Sequence, residues 1–387
     1  MSTFKQLLKD NIRQYGMLIA LASIVIFFQI LTKGLLLTPL NLTNLIMQNS
    51  YILILAIGML LVILTGNIDL SVGSVAAFVG AVAAIMMVNY KVPFIVALVV
   101  SLLIGGLIGA WQGMWIAYIR VPAFIVTLGG MLIFRGLTMV TLQGMSVGPF
   151  PVAFQKIASG FIPDFLHGGS INITAILIGI AFSIFYVFFE IRNRKVQKKY
   201  FFEVIPAGFM IIKIIAIILV TNVFIYFLAI YKGVPNVLLL LFVLIVVYSY
   251  VSNQTIAGRH VYALGGNEKA ARLSGIKTKK VMFWVYVNMS VIAALSGLVF
   301  AARLNSATPK AGNLFELDAI AACYIGGASA TGGIGTIIGA IIGGLVMGVM
   351  NNGMSLIGVS IDWQQTIKGL VLLLAVAFDL YTKSKSS

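Results

Sequence analysis

Along this chain, long apolar runs alternate with short polar or glycine-rich interruptions. A helix needs about 20 consecutive apolar residues to cross a bilayer. By that measure the runs predict twelve spans, at 16–37, 45–64, 70–89, 93–118, 122–142, 171–191, 204–230, 234–252, 281–302, 316–331, 333–350 and 363–381. The third and tenth abut glycine-rich breaks. The pattern predicts an all-α polytopic membrane protein of about 12 transmembrane helices, some of them broken. The main interruptions are 143–170, which holds Pro149, Pro151 and Pro163, the basic segment 192–203, and 253–280.

The most informative interruption is TGNIDLSVGS, residues 65–74. Lipid offers loosened backbone no hydrogen-bond partner, so such a break persists only where protein buries it or it lines a wet cavity. Asp69, an ionisable residue at membrane depth, marks a functional site by default. The competing reading is a polar turn at the membrane surface, with Asp69 capping the next helix. A weak repeat supports the first: VGS at 72–74 resembles IGT at 334–336, which follows the glycine-rich stretch 326–333. Broken helices at matching positions of two halves point to a transporter's substrate path. Two unrelated packing seams are the alternative.

Composition sharpens this picture. Of 387 residues, 60% are hydrophobic and 9% charged, whereas soluble domains are about a quarter charged. A single transmembrane domain, 1–387, is the simplest organisation. The 39 glycines point to close helix–helix approach, and the small-residue face at 339–348 is a candidate packing seam toward a second copy.

The net charge of +16 matters for where it lies. With the amino terminus inside and an even number of crossings, seventeen of the 26 basic residues fall on the cytoplasmic side. They are Lys5, Lys9 and Arg13, Arg120, five residues within 192–199, six within 259–280, and Lys383 and Lys385. Loop 143–170 then lies outside and carries only Lys156. This is the positive-inside bias, and it leaves no basic face for nucleic acid. Residues 17–31 read as an uncleaved first span, because no cleavage pattern follows. Trp111, Trp115, Trp284 and Trp363 sit near predicted span ends, as interfacial anchors do.

Residues 262–276 carry the second informative stretch. Asn267 is suited to cap a helix with Glu268 in its first turn, and Gly275 to terminate it. A capped two-turn helix in a cytoplasmic loop reads as a docking element for another protein. A helix lying on headgroups would want a large apolar face, and only Leu273 and Ile276 qualify. No phosphate-binding loop occurs, so any ATP hydrolysis belongs to another chain. His167, His260 and the lone Cys323 assemble neither a zinc site nor a catalytic group, and no cofactor is expected. Glu316 and Asp318 fall at the outer end of the tenth predicted span and Asp362 at that of the last, as entrance residues or as helix caps. Asn351 and Asn352 are substrate-facing amides or turn residues before Gly353.

Four segments together resemble the permease subunits of monosaccharide ABC importers of the ribose, xylose and galactose type. They are 65–74, PAFIVTLGG at 122–130, GGNEKAARLSG at 265–275 and ELDAIAA at 316–322. The likeness runs in order from about residue 17 to 380, and 119–138 with GPFP at 148–151 looks most like the xylose or multiple-sugar branch. The resemblance implies that Gly265, Gly266, Asn267, Glu268, Ala271, Arg272, Leu273, Ser274 and Gly275 form a coupling helix seated in a groove of an ATP-hydrolysing subunit. It further implies that 65–74, with Thr65, Asn67, Asp69, Ser71 and Ser74, and 326–336 lie beside the translocation pathway, where Asn351 and Asn352 fit as amides for a neutral sugar. Implied partners are an ABC ATPase, a periplasmic or extracellular sugar-binding protein, a second permease copy and the monosaccharide itself, in the bacterial cytoplasmic membrane. The chain departs from the family at Asn67, where glycine is frequent, and over 192–250, which adds a helical pair. The alternative function is an ion-coupled secondary transporter that uses Asp69.

Overall fold

The computed structural model describes residues 12–201, 204 and 206–384. Lys5, Lys9, Lys385 and positions 202 and 203 of the basic segment lie outside the described residues.

Fifteen α-helices follow one another among the described residues. They are α1 (Ile12–Leu31), α2 (Pro39–Leu64), α3 (Val72–Ala84), α4 (Phe94–Gly113), α5 (Ala123–Leu142), α6 (Val152–Ser159), α7 (Ile173–Lys199) and α8 (Ala207–Tyr231). Then come α9 (Asn236–Gln254), α10 (Ile256–Gly266), α11 (Glu268–Leu273), α12 (Thr278–Leu304), α13 (Phe315–Ile325), α14 (Ile337–Leu356) and α15 (Ile361–Ser384). Single π-turns, Ile85–Asn89 and Met114–Ile119, extend α3 and α4. Prolines set many of the boundaries. Pro93, Pro122, Pro151, Pro206 and Pro235 each stand just before the first helical residue, where the missing N–H costs nothing and the fixed φ suits the helix start.

Nine of the described helices, with α3 and α4 counted together with their π-turns, are long and apolar enough to cross a membrane. The chain is an all-α, multi-pass membrane protein. The tenth predicted span departs from expectation. Only Phe315–Ile325 is helical there, about 16 Å at 1.5 Å per residue, and residues 326–336 continue as irregular backbone. Hydropathy reports how apolar a run is and not whether its backbone stays helical, so it cannot separate these cases.

Helices α2 and α12 form the centre, with most of each buried. Around them pack α3, α4, α13 and α14. Gly105, Gly109 and Gly113 of α4 meet α12 so closely that a Cβ at Gly109 would lie 2.6 Å from Tyr286 O. Helices α7 and α8 form a peripheral pair, zipped by Lys213 Nζ to Glu190 Oε1 at 2.9 Å and Asn222 Nδ2 to Ser183 Oγ at 2.8 Å.

The seam at 339–348 needs correcting. Gly343 and Gly339 lie against the backbone of α13 at Ala322 and Gly326, Gly344 against Leu53 and Gly348 against Asn49. Small-residue spacing signalled close packing, but the partners are α13 and α2 of the same chain, so these glycines are spent internally.

Candidate translocation site and coupling surface

The break 65–71 joins α2 to α3, and where it leaves α2 it meets Gly265 of α10 and the 326–336 segment. Thr65 ends α2 by donating its hydroxyl to Val62 O, and Gly66 turns the chain with φ +76°. Asn67 Nδ2 donates to Thr65 O at 3.1 Å and to Thr65 Oγ1 at 3.2 Å. The amide thus takes part in shaping the local turn.

Asp69 is fully buried, as are Ser71 and Ser74. Its Oδ1 accepts from Ser71 N at 2.8 Å and from Ser71 Oγ at 2.7 Å, a turn held by a carboxylate two residues upstream. Ser71 Oγ accepts in turn from Gln112 Nε2 of α4 at 2.8 Å. Asp69 therefore ties the break to a neighbouring helix and is not a surface cap. Among the described residues, Asp69 Oδ2, Gln112 Oε1, Ser74 Oγ, Tyr286 Oη and Glu316 Oε2 are buried without a hydrogen-bond partner. Unpaired oxygens gathered about one break make a polar strip in an apolar bundle, of the kind that holds water or a hydroxyl-rich solute.

Glu316 and Asp318 do not stand at a rim. They are 7% and 3% exposed, on the first turn of a half-helix that starts inside the bundle. Glu316 Oε2 lies against Gly73 of α3. Asp318 Oδ1 accepts from Lys368 Nζ of α15 at 2.9 Å, with Tyr51 beside it. Arg135 of α5 donates to Ala311 O just ahead of α13, and its charge faces Glu316. The connection 305–314 dips into the bundle and carries α13 with it, which local pattern does not foretell. Gln112, Arg135 and Lys368 escaped the sequence reading; the available signal was a polar or ionisable residue inside a predicted span.

Asn352 pairs with Asn41 through two reciprocal amide bonds of 2.8 and 3.1 Å, joining α14 to α2. Asn351 is half-buried with Oδ1 unpartnered. Of the two, only Asn351 has an amide oxygen without a partner, and that oxygen is enclosed among the helices.

The short helix α11 forms where the capping pattern placed it. Asn267 Oδ1 accepts from Ala270 N at 3.0 Å, and Gly275 follows with φ +87°. Ala271 is buried against the body, while Glu268, Lys269, Arg272 and Leu273 are exposed, Leu273 at 88%. Its base is embedded: Gly265 backs onto Leu64 O at the end of α2, and Tyr262 Oη donates to Gly335 O at 2.7 Å.

A multi-pass bundle with a buried polar break and an exposed capped helix fits a membrane permease, and similarity to known proteins shows the family. The family model described as "Branched-chain amino acid transport system / permease component" matches residues 41–376. The chain is 39% identical to the xylose transport system permease protein XylH of Haemophilus influenzae, over 97% of this chain and 98% of that one. It is 38% identical to XylH of Escherichia coli K12, over 99% and 95%, and 37% identical to the ribose import permease protein RbsC of the same strain, over 88% and 85%. No solved structure matches. The chain belongs to the permease subunits of monosaccharide ABC importers, multi-pass proteins of the bacterial cytoplasmic membrane.

Proposed function

We propose that this permease imports xylose or a closely related pentose or hexose, delivered by a periplasmic or extracellular binding protein and driven by ATP hydrolysed on a separate ATPase chain. Two relatives similar over nearly their whole length carry xylose transport in their names. The observation that carries the coupling is α11: a capped helix with an exposed Glu268, Arg272 and Leu273, fixed to the body by Ala271 and its glycine base. In this reading 253–280 is cytoplasmic and α11 docks on the ATPase, 192–203 is cytoplasmic and 143–170 periplasmic. A second copy of the chain completes the pathway.

Thr65, Asn67, Asp69, Ser71, Ser74 and Asn351 line or shape the pathway, with Gln112 holding Ser71. Asn352, paired to Asn41, braces it. Glu316 and Asp318 act deeper than an entrance, setting the half-helix α13 against α3 and α15. A neutral sugar gains nothing from the membrane potential, so hydroxyls and amides suit it better than a charged clamp. The rival, an ion-coupled transporter, rests on the unpaired Asp69 Oδ2.

Uptake into proteoliposomes holding the permease, its ATPase and loaded binding protein separates the two. The importer reading expects xylose uptake that needs ATP and the ATPase and survives collapse of proton and sodium gradients. It also expects Glu268→Ala/Arg272→Ala to lose the ATPase in a pull-down. Uptake that needs no ATPase, follows an ion gradient and vanishes in Asp69→Asn would reverse the assignment.

A further inference from the structure

Three distant stretches of backbone meet at the foot of the coupling loop. Gly333 N donates to Leu64 O at 2.9 Å, closing the 326–336 segment onto the last residue of α2. Gly265 packs onto the same bond: a Cβ there would overlap Leu64 O and lie 2.7 Å from Gly333 N. Gly333 has φ +73°, and a Cβ on it would lie 3.0 Å from Gly266 Cα. Gly332 has φ +82°, and a Cβ on it would lie 2.8 Å from Gly66 N. One turn earlier, Tyr262 Oη holds Gly335 O, immediately before Thr336, which caps α14 by accepting from Gly339 N at 3.0 Å.

We propose that Tyr262, Gly265 and Gly333 are positioning residues of a rigid junction, through which displacement of α11 moves both breaks, 65–71 and 326–336, as one. The proposal rests on the importer reading, in which α11 meets the ATPase. Its physical basis is the lack of side chains between the three backbones. Side chains can absorb a small displacement by changing rotamer, whereas backbones in direct contact pass it on. Only Asn267 separates α10 from α11, so tilting α11 pulls on Gly265 directly. Leu64 carries the pull into the segment that holds Asp69 and Ser71. Gly335 carries it to the start of α14, whose face supports α13.

The test uses the full complex in proteoliposomes, and reads sugar moved per ATP hydrolysed after a pull-down confirms that the ATPase is retained. Gly265→Ala should lower that ratio about five-fold or more, the lower range of a coupling free energy. Tyr262→Phe, which removes one hydroxyl and no packing volume, should lower it by a smaller factor, about two-fold. Gly208→Ala, on α8 with open space where its Cβ would go, is the control and should match the parent. Ratios in both junction variants equal to that of the parent overturn the proposal. Where Gly265→Ala does not assemble, an unchanged ratio in Tyr262→Phe suffices to overturn it. Parent uptake that needs no ATPase instead removes the importer reading beneath it, a result visible before any variant is made.

Discussion

Asp164 holds a whole turn of the loop 143–170 with one carboxylate. It accepts from Gly168 N at 2.7 Å, Thr174 Oγ1 at 2.9 Å, Thr174 N at 3.1 Å and Leu166 N at 3.3 Å. These bonds, the one from Gly168 foremost, keep its pKa well below the ordinary carboxylate range. A depressed pKa in the folded state stabilises the loop above the unfolded value, near pH 4, and the benefit is lost as pH falls through the lower folded value. Amide protection at Gly168 and Thr174, corrected for intrinsic exchange, should be flat from pH 8 to 5 and fall only below about pH 4. Asp164→Asn should weaken it across the whole range; equal protection in the variant would show that the loop holds without the charge. At Asp318 and Lys368 the charges are largely buried, with 5% and 21% of their side chains exposed. Removing one partner strands the other, at a cost of about 3–5 kcal/mol. Lys368→Met should therefore melt well below the parent in detergent, and Asp318→Asn/Lys368→Met should recover part of the loss. A double variant no better than the single would show that the pair is not the unit of stability.

Among the elements, α11 is the one whose form follows from local chemistry alone. Six residues are too short to be helical without help, and the Asn267 cap and Gly275 stop supply it. Asn267→Ala should cost the helix about 1 kcal/mol and weaken ATPase retention in a pull-down, whereas Leu273→Asp should weaken retention while leaving the melting temperature near that of the parent. Loss of stability with Leu273→Asp would mean that this side chain packs on its own chain. The half-helix α13 is the opposite case. ELDAIAA and its glycine-rich sequel read locally as one continuous span, yet the backbone leaves the helix at Gly326, where the approach of α14 at Gly339 and the bond from Gly333 to Leu64 settle its path.

For the molecule as a whole, the distribution of Lys and Arg predicts that α11 and α6 lie on opposite sides of the membrane. Cys323, the single cysteine, is fully buried, so background labelling by a polar maleimide should be low. Val152→Cys on α6 is exposed and should label from outside intact cells. Leu273→Cys should label only after the membrane is opened. Labelling with the opposite sidedness would invert the orientation that the distribution of Lys and Arg implies.

The linear sequence determined what depends on neighbours along the chain. Apolar run lengths define the spans, prolines mark their starts, Asn267 and Gly275 delimit α11, and the polar break at 65–74 stands out because nothing in lipid could satisfy it. Tertiary structure decided what depends on distance in space. Glu316 and Asp318 moved from a rim to the interior because the chain before them dips inward. The glycines at 339–348 turned to α13 and α2 because backbone approach needs a partner that spacing does not name. Gln112, Arg135 and Lys368 acquired meaning only from the break, connection and carboxylate they face. Gly265 is of the same kind. Its sequence context predicts a loop, and only the meeting of Leu64 and Gly333 shows why no side chain fits there.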